Sequence, residues 1–136
     1  MDCIFCKIVN GEVPSVKIYE DAHVVAFMDI MPAKKGHVLV IPKKHCETIL
    51  DISKEDLSLL MQCVQTCARA VFKGVHAEGL NILQYNGSVS GQIVNHLHFH
   101  IIPRSERDGL RIGWDHEIYQ ADEIDVYAKK IRDEIA

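Results

Sequence analysis

No apolar stretch of the 136-residue chain approaches the roughly 20 residues that a membrane-spanning helix needs. The opening MDCIFCKIVNGE also lacks the apolar core of a secretory signal. Transmembrane and secreted readings therefore fall away, and a cytoplasmic location is expected. Basic charge is in short supply: 15 Lys and Arg face 19 Asp and Glu, a net charge of −4. Long-range attraction to nucleic acid or to an anionic membrane is not expected. Only 4 prolines and 8 glycines are present, with no repeat, linker or low-complexity segment, so collagen-like and disordered classes are excluded. The composition, 48% apolar and 25% charged, is that of one globular domain spanning residues 1–136. An odd set of five cysteines includes one Cys-x-x-Cys, Cys3-Ile-Phe-Cys6. Without an export signal, that pair reads as metal or redox chemistry rather than a disulfide scaffold. Two thiols packed as small apolar groups are the plain alternative. What stands out is histidine, with 8 in the chain and His96, His98 and His100 in alternation.

Hydrophobic periodicity predicts strands at residues 16–20, 24–28, 37–41, 80–85 and 95–102. Pro42 and Pro103 are expected to close two of them, since proline cannot donate to a ladder. Ser53 followed by Asp56 has the form of a capping box. Leu57, Leu60, Met61, Val64, Ala68 and Val71 then recur at helical spacing as far as Gly74. Asp122 is expected to cap a last helix whose Ile124, Tyr127, Ile131 and Ile135 face inward. Five strands and two helices, with the strands in consecutive runs, predict an α+β fold around a mainly antiparallel sheet.

In the segment His96-Leu97-His98-Phe99-His100-Ile101-Ile102 the residue types alternate with period two. A strand here puts three imidazoles on one face and Leu97, Phe99 and Ile101 on the other. The outer two histidines would lie about 13 Å apart. With Zn–N bonds near 2.0 Å, at most two adjacent ones share an ion, so the rest must serve acid–base, nucleophilic or electrostatic chemistry. A neutral imidazole attacks phosphorus when its other nitrogen is oriented by a hydrogen bond. The preceding Gly87-Ser88-Val89-Ser90-Gly91-Gln92 offers hydroxyls, an amide and glycines that let main-chain N–H groups approach a phosphate.

The histidine segment matches in full the signature of the histidine-triad family, three histidines separated by apolar residues. The resemblance extends through Cys3-Ile-Phe-Cys-Lys-Ile, Gly11-Glu-Val-Pro, Tyr19-Glu-Asp, Ala26-Phe-Met-Asp-Ile, Gly36-His-Val-Leu-Val-Ile-Pro-Lys-Lys-His45 and Ile102-Pro-Arg. The chain resembles the small nucleotide-binding members of that family. The resemblance implies a hydrolase acting on the α-phosphate of nucleoside phosphoramidates or dinucleotide polyphosphates, with a purine nucleotide as the expected substrate. His98 would be the nucleophile that forms a nucleotidyl-histidine. His100 would bond the phosphate or bridging atom, His37 would border the same pocket, and Gln92 would bind phosphate or place water. Asp29 matches the ribose-binding aspartate; Val13, Phe27 and Ile30 fall at the base pocket, and Asn86 and Gly91 in the nucleotide loop. It also implies a structural zinc ion on Cys3, Cys6, His45 and His96, and a homodimer in which Trp114 and the C-terminal segment reach a neighbouring site. Two departures are visible. Tyr85 stands where many members carry Asn, and Ile93 stands where several eukaryotic members carry Ser or Thr. Cys63 and Cys67, four apart on the long helix, are expected to pack in the core or at a subunit interface. Two other classes remain open: a nucleotide-binding interaction protein with incidental turnover, and a zinc-water hydrolase, which would need an open metal position.

Overall fold

A computed structural model describes residues 2–135. Five strands form one sheet in the order β1-β2-β3-β5-β4: β1 Lys17–Glu20, β2 Val24–Met28, β3 Val38–Pro42, β4 Gly79–Leu83 and β5 Phe99–Arg104. Every pairing is antiparallel. Helix α2, Lys54–Gly74, packs on one face, and α1, Ile4–Val9, covers the other. A third helix, α3, spans Glu123–Arg132.

The alternation of β2 and β3 explains both faces. Val24, Ala26, Val38 and Val40 join Leu60, Val64, Cys67 and Val71 of α2 in one core. Val25, Phe27, Leu39 and Ile41 join Phe5 and Ile8 of α1 in the other. Strands covered on both sides read as unbroken apolar runs, as these do. Cys63 and Cys67 are buried in the first core, their sulfurs 3.9 Å apart. Burial and the contact with Cys67 push the Cys63 thiol up, keeping it protonated. Ser53 caps α2 as expected, its hydroxyl accepting the Asp56 N–H at 3.0 Å. The helix is closed past Gly74, where His76 takes the left-handed conformation (φ 55°) and the Ala77 N–H returns to the Phe72 carbonyl.

Four expectations need correction. The helices number three rather than two among the described residues, because the six-residue α1 is too short to show a helical period in sequence. The histidine strand begins at Phe99 rather than Asn95. Ahead of it the Leu97 N–H bonds the Cys46 carbonyl at 2.8 Å, and the His96 side chain takes the Pro42 carbonyl at 2.8 Å, so the ladder has no partner to extend. Pro103 does not end β5; it sits within the strand opposite Leu80. Finally, Ile124, Tyr127, Ile131 and Ile135 are all exposed, because α3 contributes nothing to either core. Asp122 precedes that helix in the left-handed region with no side-chain capping bond.

Candidate active site and metal-ligand cluster

The face separation read from the histidine segment holds although half of it lies outside the ladder. Leu97, Phe99 and Ile101 enter the α2 core, while His98 and His100 line a cavity of about 450 Å³ on the α1 side. Val13, Phe27, Asp29, Ile30 and Gly91 line the same cavity. Its walls also include Ile4, Phe5 and Ile8 of α1, together with Ser15, Leu39, Tyr85, Ile93 and Val94. A mostly apolar cavity with a few polar groups in its lining suits a flat ring and a charged tail.

The structure fixes the tautomer of each imidazole through main-chain groups whose roles are not ambiguous. The His96 carbonyl lies 2.7 Å from His98 Nδ1. A carbonyl only accepts, so the proton is on Nδ1 and the lone pair is left on Nε2. The Ala33 N–H donates to His37 Nδ1 at 3.0 Å, so His37 carries its proton on Nε2. That proton meets His100 Nδ1 at 2.9 Å. His100 therefore accepts at Nδ1 and keeps an N–H at Nε2. The chain from Ala33 through His37 to His100 places an N–H donor on one ring beside a bare nitrogen on the other. The rings of His98 and His100 are 5.0 Å apart.

Burial drives the charge state of all three. Desolvation lowers His98 and His37 below the ordinary histidine value, with Asp29 opposing the shift in both. His100 is pushed down to about 4, by burial first and then by its neighbours His98 and His37. Neutral rings at pH 7 leave lone pairs free for attack. Asp29 Oδ1 accepts the Met31 N–H at 2.9 Å, and its Oδ2 lies 3.7 Å from His37 Nε2.

The structure does not bring Gln92, Asn86 or His37 to the cavity wall; His37 lies behind it, bonded to the lining residue His100. Gln92 is buried, with Oε1 accepting from the Gly87 N–H and Nε2 donating to the Glu47 and Val94 carbonyls. Both amide hydrogens are thus used on main chain, and the side chain braces the 87–94 loop. Asn86 is bonded to the Ile49 N–H and to Gln84, away from the lining. Tyr85 instead faces the site, its ring 5.6 Å from that of His100 and packed against Gly91, where a Cβ would stand 3.8 Å from the ring. Gly91 has φ +110°, which favours glycine.

A second cluster adjoins the first. Cys3 Sγ and His96 Nδ1 are 3.4 Å apart, Cys6 Sγ and His45 Nδ1 3.3 Å, Cys6 Sγ and His96 Nδ1 3.6 Å, and the two Nδ1 atoms 3.2 Å. Tetrahedral zinc with ordinary bond lengths places such ligand atoms about 3.3–3.6 Å apart. The donor chemistry agrees: the His96 Nε2–H is spent on the Pro42 carbonyl, which leaves its Nδ1 lone pair facing the sulfurs. These four residues fit a metal ion. The group Asp29, His37 and His100 is also close-set. There, however, the Ala33 bond holds the proton on His37 Nε2, so that nitrogen has no lone pair to give.

In a larger crevice of about 660 Å³ beside Lys34, Lys35, His76 and Arg104, Lys34 and Arg104 are already engaged. Arg104 forks onto the Asp108 carboxylate and reaches Asn81, and Lys34 bonds the Asp108 carbonyl.

Sequence reasoning left Phe5, Ser15 and Leu39 out of the site. Phe5 had a signal, an aromatic ring between two candidate ligands. The Ala33 N–H and the Pro42 and His96 carbonyls had none, since main-chain groups are the same at every residue.

The sheet, the paired histidines and their placement define a histidine-triad domain, and residues 10–107 match the HIT domain family. The chain belongs to that family. It is 42% identical over 136 residues to an adenosine 5'-monophosphoramidase of Schizosaccharomyces pombe, covering 99% of each chain. A HIT-family crystal structure from Bacillus subtilis superposes with TM-score 0.95 at 40% identity, over 100% of this chain and 99% of that one. A zinc-bound histidine-triad protein from Mycobacterium smegmatis superposes with TM-score 0.78 at 39% identity, over 86% of this chain and 85% of that one.

Proposed function

We propose that the protein hydrolyses nucleoside phosphoramidates at the α-phosphorus and releases a nucleoside monophosphate. The observation that carries this reading is the bond from His98 Nδ1–H to the His96 carbonyl at 2.7 Å, which leaves a bare Nε2 at the cavity. The name of the Schizosaccharomyces pombe relative, an adenosine 5'-monophosphoramidase, supports the substrate class. Dinucleotide polyphosphates share the same α-phosphorus and are the second substrate class to test.

His98 Nε2 attacks phosphorus and the P–N bond to the leaving amine breaks. The amine takes a proton, for which the His100 Nε2–H is the available donor. Water then attacks the phosphorus of the nucleotidyl-histidine and returns a proton to His100 Nε2, the N–P bond returns its electrons to His98, and the monophosphate leaves. Asp29, in the cavity lining, accepts from the ribose hydroxyls. Val13, Phe27 and Ile30 flank the base. Gln92 acts at one remove, by shaping the loop that presents Gly91.

Cys3, Cys6, His45 and His96 are read as holding zinc. Four protein donors complete a tetrahedral ion, so its contribution is cross-linking of the chain rather than an activated water. The chain is also read as a cytoplasmic homodimer: Trp114, Ile118, Tyr119 and Tyr127 are exposed, and among the described residues no helix is long and apolar enough to cross a membrane. Sedimentation tests the assembly; a single-chain mass at micromolar concentration would contradict it. The activity is tested by trapping the intermediate. Acid-labile nucleotide label on wild-type protein, absent from His98→Asn, is expected, and label retained in the variant would refute the assignment.

A further inference from the structure

Helix α1 belongs to the metal-ligand cluster and to the cavity wall at once. Cys3 caps it, its sulfur accepting the Cys6 N–H at 3.4 Å, and Phe5 lies between these two ligands, buried. The Phe5 ring stands edge-on to three others: His98 at 5.1 Å and 84°, His96 at 5.9 Å and 74°, and Phe27 at 5.5 Å and 71°. The contact with His98 is a preferred arrangement for aromatic rings.

Such a contact has work to do. One hydrogen bond, from Nδ1 to the His96 carbonyl, fixes the proton of His98 but leaves the ring plane free to tilt about that bond. A buried neighbour meeting the ring edge-on removes this freedom. Both restraints arise from residues of one cluster. His96 offers its side chain to the sulfurs and its carbonyl to His98, while Phe5 is carried between Cys3 and Cys6.

We propose that Phe5 is a positioning residue for His98, and that Cys3, Cys6, His45 and His96 act on the reaction by holding Phe5 and the His96 carbonyl against the nucleophile. This rests on the reading of His98 as the nucleophile. A Phe5 that served only as a cavity wall would affect nucleotide binding and leave the chemical step alone.

The test is Phe5→Leu in metal-loaded protein, which keeps an apolar side chain while removing the ring. The expected result is a kcat on an AMP–amine phosphoramidate lower by about 10- to 100-fold, the range that misplacement of a reacting group produces. The changes in KM and in AMP affinity should be smaller than the fall in kcat, and the metal content should be unchanged. In ¹⁵N relaxation of the histidine rings, His98 should keep its Nδ1–H tautomer while its ring becomes more mobile than in wild type. An unchanged kcat, or a loss confined to KM, would overturn the proposal. Should Phe5→Leu fail to fold, wild-type protein stripped of metal by a chelator carries the same test: a His98 ring signal unchanged in the folded apo form would overturn it. Trapping of nucleotidyl-His98 on wild type keeps the two readings apart. Its absence would remove the nucleophile assignment itself, whereas its presence with an indifferent Phe5→Leu would remove only the positioning role.

Discussion

Each imidazole at this site has one nitrogen committed by a fixed partner, and that commitment decides what the other nitrogen can do. His98 donates from Nδ1 to a carbonyl and keeps a lone pair on Nε2. His100 accepts from His37 and keeps a proton. His96 gives its proton to Pro42 and turns a lone pair to the thiols. Three histidines of one alternating segment thus reach three different bonding states, two through main-chain carbonyls and one through the His37 side chain. Replacing His98 by Asn keeps a side chain able to bond the carbonyl while removing the nucleophilic nitrogen. Turnover should fall by about 10³-fold or more with AMP binding retained, as read by calorimetry beside a rate assay. Removing Cys3 should act differently: Cys3→Ser should lose the bound metal, about one zinc per chain, as measured by atomic emission. Full metal content in that variant would refute the ligand assignment.

The elements were legible in sequence where burial imposes a period. Strands β2 and β3 read as unbroken apolar runs because both faces are covered, and α2 declared itself through its cap and its buried face. Leu60 lies at the centre of that face, fully buried. Leu60→Ala should cost about 2–5 kcal/mol, visible as a lower denaturant midpoint. Elements escaped where the controlling contact is not periodic. Helix α1 is anchored by sulfur and by one aromatic ring, which leave no repeat to read. The start of β5 is displaced because side-chain and main-chain bonds to Pro42 and Cys46 replace the ladder. Helix α3 shows the converse. Its spacing promised a buried stripe, yet Ile124, Tyr127 and Ile131 stay exposed, because amphipathic spacing says that a face is apolar without saying what covers it. Within the site, Asp29, Phe27, Val13 and Ile30 converge on one cavity as the family resemblance implied. Gln92 and Asn86 look no different in sequence, but their amides are consumed by loop contacts that only the folded chain reveals.

Across the whole molecule, the sheet separates two jobs. The α2 face carries the larger core, and the α1 face carries the cavity lined by His98 and His100, so these histidines are buried against a surface whose removal would not empty the main core. That burial has a consequence for acid stability. The folded-state value of His100 is near 4, against 6.5 for a free side chain, and His37 is also lowered. Between about pH 6.5 and pH 4 the unfolded chain therefore binds more protons than the folded one, and stability falls as the pH is lowered through that window. The thermal midpoint should decline over this range, and His100→Gln should flatten the decline; an unaltered slope would contradict the burial argument. Turnover at His98 is decided by product analysis. Wild type and His98→Asn should be compared on an AMP–amine phosphoramidate and a diadenosine polyphosphate. AMP should be released from at least the phosphoramidate by wild type and from neither substrate by the variant. Equal release by both proteins, or binding of AMP with no turnover by wild type, would contradict it.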